Sequence, residues 1–96
     1  MTRINTHPGE VLSEEFLLPL GMSARALARE IDVPANRITG IANEARDVSA
    51  DTAVRLGKFF GTSAEFWLNL QTAYDLAKAL DGHDYAKVHQ RMPVAA

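Results

Sequence analysis

Between Ser23 and Arg46 the chain carries four arginines, Arg25, Arg29, Arg37 and Arg46, and no lysine. Asn36, Thr39 and Asn43 stand among them. A guanidinium is planar and offers a fork of donors that matches phosphate oxygens or the acceptor edge of guanine. An asparagine amide can pair in the same bidentate way with adenine. Solvated faces of ordinary helical bundles lean on glutamate and lysine instead. This selection of side chains therefore reads as a surface for phosphates and base edges.

Other chemistry finds little support. His7, His83 and His89 are the only imidazoles. No two are three or four residues apart, and a zinc site needs three or four convergent ligands. They are expected as surface or capping residues, and no metal is expected. The chain has no cysteine, so neither a disulfide nor a thiolate site can staple it. Glu14 and Glu15 are adjacent and do not face each other on a helix, so with Glu10 they read as a solvated face rather than an acid–base pair. Ser23, Ser49 and Ser63 each precede an expected helix, where capping explains them better than nucleophilic catalysis. No glycine loop suited to a nucleotide occurs. Neither an enzyme nor a bound cofactor is expected.

The elements that must position the arginines are short helices. Apolar residues recur at three- and four-residue spacing, and alternating strand patterns are absent. Pro8 suits a first helical position behind a cap at Thr6 or His7. Val11, Leu12, Phe16 and Leu17 form one face of that first helix. Pro19 disfavours helix at Leu18, and Gly21 closes the segment. Ser23 caps a second helix with Ala26, Leu27 and Ile31 inward. Asp32-Val33 is a tight turn, and Pro34 opens a third helix anchored by Ile38 and Ile41. Ser49 caps a fourth, with Asp51 in its first turn and Phe59-Phe60-Gly61 at its end. Thr62 or Ser63 caps the longest, which runs to about Leu80. Its expected inner stripe is Phe66, Leu70, Ala73 or Tyr74, Ala77 and Leu80. Residues 84–92 could form a short sixth helix on Tyr85, Val88 and Met92, and Pro93 onward is expected to fray.

The whole is one all-α domain over 1–96, with a helix-turn-helix at about 23–44. Ala28 is small enough for close crossing, and Val33 plugs the turn. At 96 residues, 47% hydrophobic and 23% charged, the composition is that of an ordinary globular domain. The longest apolar run, Phe16 to Leu20, is far short of the ~20 residues of a membrane span. The first residues open no secretory signal, so a cytoplasmic protein is expected. The net charge of −2 and pI of about 5.8 lack the usual basic footprint of a nucleic-acid binder. Division along the chain changes that reading. Residues 23–46 hold four bases against three acids, and the excess acid lies on either side.

Leu27-Ala28, Val33-Pro34, Ile38-Thr39, Ile41 and Asn43 resemble the lambda-repressor-like (Xre/Cro) helix-turn-helix. His7-Pro8-Gly9-Glu10 and the stretch Ser49 to Gln71, ending in Phe-Trp-Leu-Asn-Leu-Gln, resemble a narrower group, the HigA-type antitoxins of bacterial toxin–antitoxin operons. The likeness runs from about residue 5 to 80. It implies five α-helices, a homodimer, binding of double-stranded DNA at a palindromic operator in its own promoter, and neutralisation of a ribonuclease toxin. Carried over by position, base-reading sites fall on Ala35, Asn36, Thr39 and Gly40. Phosphate sites fall near Ser23, Arg37, Asn43 and Arg46, and Arg25, from the same outer face, is counted with the DNA-binding residues. Gly40 and Ala35 are short where relatives carry longer side chains, so direct readout would rest on Asn36 and Arg37.

The Phe66 to Leu70 cluster is expected to split. Phe66 and Leu70 would point inward, while Trp67 or Leu68, with Tyr74 and the tail, would serve a twofold dimer. The fifth helix and tail, about 63–92, would be the dimerisation element. Two other functions stay open on the residues alone: a solitary repressor without a toxin, and a protein-interaction module that no longer reads DNA.

Overall fold

Helix α1 starts where His7, extended at φ −63° and ψ 140°, accepts the Gly9 amide on Nδ1 at 2.8 Å. Pro8 follows at a position whose missing N–H has no partner to lose. The computed structural model describes residues 6–91. Within them the chain forms five helices and no strand. Helix α1 is continuous through three segments: an α turn at Pro8–Val11, a π-helix at Leu12–Leu17 and a last α turn at Leu18–Leu20. The expectation that Pro19 would disfavour helix at Leu18 is therefore corrected, while Gly21 closes the segment as expected. The Leu18 amide bonds five residues back to the Ser13 carbonyl. That wider turn relieves the clash of a proline ring with the carbonyl four residues before it. The stop comes at Gly21, left-handed at φ 61°. There the Met22 and Gly21 amides close back on the Leu17 and Leu18 carbonyls at 3.0 and 3.1 Å.

Ser23 caps α2 (Ala24–Glu30), its Oγ accepting the Ala26 amide at 3.0 Å. The turn passes through Asp32 at φ 59°, and the Val33 amide returns to the Ala28 carbonyl. Helix α3 (Ala35–Ala42) begins one residue later than expected, with Pro34 as its cap. Ser49 caps α4 (Ala50–Phe60) and Ser63 caps α5 (Ala64–Gly82). Thr62 takes a different part, accepting the Trp67 indole N–H on Oγ1 at 2.9 Å. No sixth helix forms in residues 84–91, which carry a turn at 86–87 and are exposed throughout. The Ala86 amide donates there to Asp84 Oδ1. Met92 and Pro93, the rest of that expectation, lie outside the described residues.

The core is Leu12 and Leu17 from α1, Leu27, Ala28 and Ile31 from α2 and its end, and Ile38 and Ile41 from α3. Val48, Ala53, Leu56 and Trp67 complete it. Here α5 departs from the stripe expected of it. Trp67 is fully buried and Gln71 nearly so, whereas Phe66, Leu76 and Leu80 are exposed. The inward face is rotated by about one residue, roughly 100° around the helix. The pattern misleads because one inward position is polar and the apolar surplus lies on the outer face. No helix among the described residues is long and apolar enough to cross a membrane.

Candidate nucleic-acid interface

Burial of Ile38 and Ile41 determines what α3 presents outward. Asn36 and Asn43 are exposed; Ala35, Arg37, Thr39 and Gly40 are half-buried. Ser23, Arg25 and Arg46 are exposed beside them. Ser23 Oγ already serves as the α2 cap. Among the described residues, Arg25, Arg29 and Arg46 form no ion pair.

Three ties hold this face to the rest of the domain. The first is steric. A methyl group on Gly9 would collide with the Ile41 carbonyl oxygen, so only glycine lets the start of α1 lie this close to the end of α3. The second is ionic. Arg37 Nη1 donates to Asp51 Oδ2 at 2.6 Å, and the same oxygen takes Arg55 Nε at 2.9 Å. Arg55 Nη1 also donates to the Ile31 and Asp32 carbonyls at 2.8 and 3.2 Å. It thus satisfies backbone acceptors left open at the end of α2. These guanidiniums, Arg55 first and Arg37 next, hold the Asp51 carboxyl below its ordinary value of 3.8.

The third tie is Gln71. Its Oε1 accepts the Val48 amide at 2.7 Å, and its Nε2 donates to Asp47 Oδ1 and Asp75 Oδ1 at 3.2 and 3.0 Å. The loop from Asn43 to Ser49 is thereby fastened to α5. Arg46 leaves that loop and lays its stem toward α3. A Cβ on Gly40 would stand 3.2 Å from Arg46 Cβ. The glycine thus makes room for an arginine of the same surface. Arg37, Arg46, Asp47, Ser49, Asp51 and Thr52 line a polar cleft of about 250 Å³ between α3 and the start of α4.

The expected dimer residues fare differently. Trp67 is withdrawn from any interface: it packs on Phe16, Phe60 and Phe66 at centroid distances of 5.1, 6.3 and 5.1 Å. Leu68 is half-buried against the core. Tyr74 is half-buried, edge-on to His7 at 4.8 Å with Lys78 Nζ over its ring at 5.5 Å. Arg55 and Gln71 join the site only through contacts distant in sequence. Their signals are faint: Arg55 stands four residues after Asp51, and Gln71 closes the Phe-Trp-Leu-Asn-Leu-Gln box four residues after Trp67. Among the described residues, no group of three or more His, Asp or Glu side chains converges as a metal site would.

A helix-turn-helix family model matches residues 14–67. Virulence-associated protein I of Dichelobacter nodosus is 55% identical over 73 residues, which span 76% of this chain and 68% of that protein. The structure of PA4674 from Pseudomonas aeruginosa in complex with its 18-bp operator DNA superposes with a TM-score of 0.86 at 44% identity. That match covers 98% of this chain and all of that one. The Pseudomonas aeruginosa antitoxin HigA with the higBA promoter gives 0.83 at 43% identity, covering 95% and 100%.

Proposed function

The chain belongs to the helix-turn-helix family, in the group that includes the HigA-type antitoxins, and from that premise we propose that it represses its own promoter as a homodimer and neutralises a ribonuclease toxin. It is a DNA-binding protein of antitoxin type, and its work is binding rather than catalysis. Promoter control places its site of action in the bacterial cytoplasm. The observation that carries the proposal is the outward face of α3, pinned at Gly9, Arg55 and Gln71. It belongs to an architecture that, in the solved relatives, sits on operator DNA.

In this reading α3 enters the major groove. Asn36 reads a base, Thr39 and Ala35 line the groove wall, and Ser23, Arg25, Asn43 and Arg46 meet phosphates. Arg37 lies between the two roles, and Gly40 contributes by admitting the Arg46 stem. A twofold dimer presents two α3 helices about 34–36 Å apart to the halves of a palindrome. Leu76 and Leu80 on α5, and Tyr85 and Val88 beyond it, are exposed apolar residues that such a dimer, or the toxin, would cover.

Titration of the DNA upstream of the gene against random duplex, across salt, tests the DNA reading. Asn36→Ala should relax base preference by about 1–3 kcal/mol at one position. Arg46→Ala should weaken all duplexes alike and reduce the salt slope by about 1. Unchanged affinity in both variants would overturn this interface. Co-expression with the neighbouring reading frame, followed by pull-down, tests the toxin. Failure to recover a basic partner would leave a solitary repressor.

A further inference from the structure

Arg37 is the one arginine of α3, and it is not a loose counter-charge. Its Nη1 sits 2.6 Å from Asp51 Oδ2. Asp51 in turn is held by Arg55 at 2.9 Å, and Arg55 is anchored on the Ile31 and Asp32 carbonyls. The chain of contacts runs from backbone to guanidinium to carboxylate to guanidinium. It therefore gives the Arg37 fork a supported direction rather than a free swing. It also places a negative charge against the arginine at the edge of the polar cleft, with Arg46 and Asp47 as the other charged groups lining it.

We propose that Asp51 is a specificity-determining positioning residue, which orients Arg37 for one register on the operator and screens it from phosphates met at random. The inference rests on the DNA reading of the preceding subsection. An unrestrained arginine adds a phosphate contact on any sequence, because a flexible cation can follow the backbone wherever it lies. A buttressed one, with one nitrogen occupied, keeps its remaining donors in a fixed plane. Base edges reward a fixed plane, and arbitrary phosphates do not. Asp51 thus lowers affinity for random DNA more than for the operator. The modest charge of this surface is then part of its selectivity.

The test compares wild type, Asp51→Asn, Arg37→Met and the double variant by fluorescence anisotropy. Each is titrated with a duplex of the upstream DNA and with a random duplex of equal length, at several salt concentrations. Thermal unfolding of each variant identifies any loss of folding. Asp51→Asn should bind random DNA more tightly, with a salt slope steeper by about 1. Its upstream-to-random affinity ratio should fall at least about fivefold, the lower end of what one bidentate contact discriminates. In the Arg37→Met background the same substitution should leave the ratio unchanged, because the coupling runs through Arg37. A wild-type chain that discriminates and an Asp51→Asn chain that discriminates equally would overturn this inference alone. So would an effect that persists without Arg37. A wild-type chain with no preference for the upstream DNA would overturn the proposed function and this inference with it.

Discussion

The two halves of α5 hold similar numbers of large apolar residues, yet its buried side chains lie in the first and its most exposed leucines in the second. In the first half Trp67 is 0% exposed and Gln71 5%, although one is the largest side chain and the other is polar. In the second half Leu76 and Leu80 are 57% and 69% exposed. The first half lies along α4 and α1, where Phe16 and Phe60 surround the indole and the Asp47–Val48 backbone meets the glutamine. In the second half Tyr74 still meets His7, but Leu76 and Leu80 face solvent. Burial here follows what stands opposite a residue more than its own hydropathy. A glutamine can be core when each of its polar atoms is satisfied, and a leucine can be surface when nothing in the protomer reaches it.

The strongest way to break this contrast is Trp67→Ala. Removing a fully buried indole should cost about 3–5 kcal/mol, much of the roughly 5–15 kcal/mol that holds a domain of this kind together. Urea unfolding followed by circular dichroism measures it. A loss below about 1 kcal/mol, the ordinary size of a point-mutation effect, would return Trp67 to the surface. Gln71→Leu comes next. It keeps much of the volume but leaves the buried Val48 amide unpartnered, at a cost of about 1–3 kcal/mol. Faster hydrogen exchange at Val48 and weaker DNA binding should accompany it, because the loop that carries Arg46 is released. Leu76→Glu with Leu80→Glu should change protomer stability by no more than about 0.5 kcal/mol. Light scattering should nevertheless report half the mass if that face joins two copies. An unaltered mass would move the dimer contact elsewhere.

The smallest effect sharpens the contrast between a buried polar tie and an exposed one. Asp51 has a lowered folded-state pKa, so the stability it lends is present above its ordinary value of 3.8. That contribution disappears as the pH falls through the lower value. Wild type and Asp51→Asn should therefore differ slightly and constantly from neutral pH to about 5, and converge below 3.8. Melting curves from pH 6 to 2 would check this, and a gap that closes near pH 6 would implicate a different group.

Much of the architecture was legible because helix ends are local chemistry. Ser23, Ser49 and Ser63 cap amides three residues away, Gly21 and Gly61 take left-handed backbone, and Ile38 and Ile41 turn α3. Pro19 misled because a proline in one pattern permits two outcomes, a stop or a widened turn, and the π segment of α1 realises the second. The candidate site was legible as a face but not as a mechanism. Asn36 and Arg37 face outward by the spacing of Ile38 and Ile41, and the phosphate role of Arg46 came from the family resemblance. That Arg37 is tethered, that Gly40 shelters the Arg46 stem, and that Gln71 clamps the loop could not.

What the sequence by itself determined, then, is the five main helices, their serine caps and the arginine-rich turn-and-helix, since each depends on residues within a turn of one another. The tertiary structure decided which face of α5 is core, where Arg37 points and what holds the loop before α4. Those depend on Arg37 meeting Asp51 across 14 residues, Gln71 meeting Val48 across 23 and Arg55 meeting Ile31 across 24. No local pattern encodes such distances. They exist only once hydrophobic burial has brought the helices together.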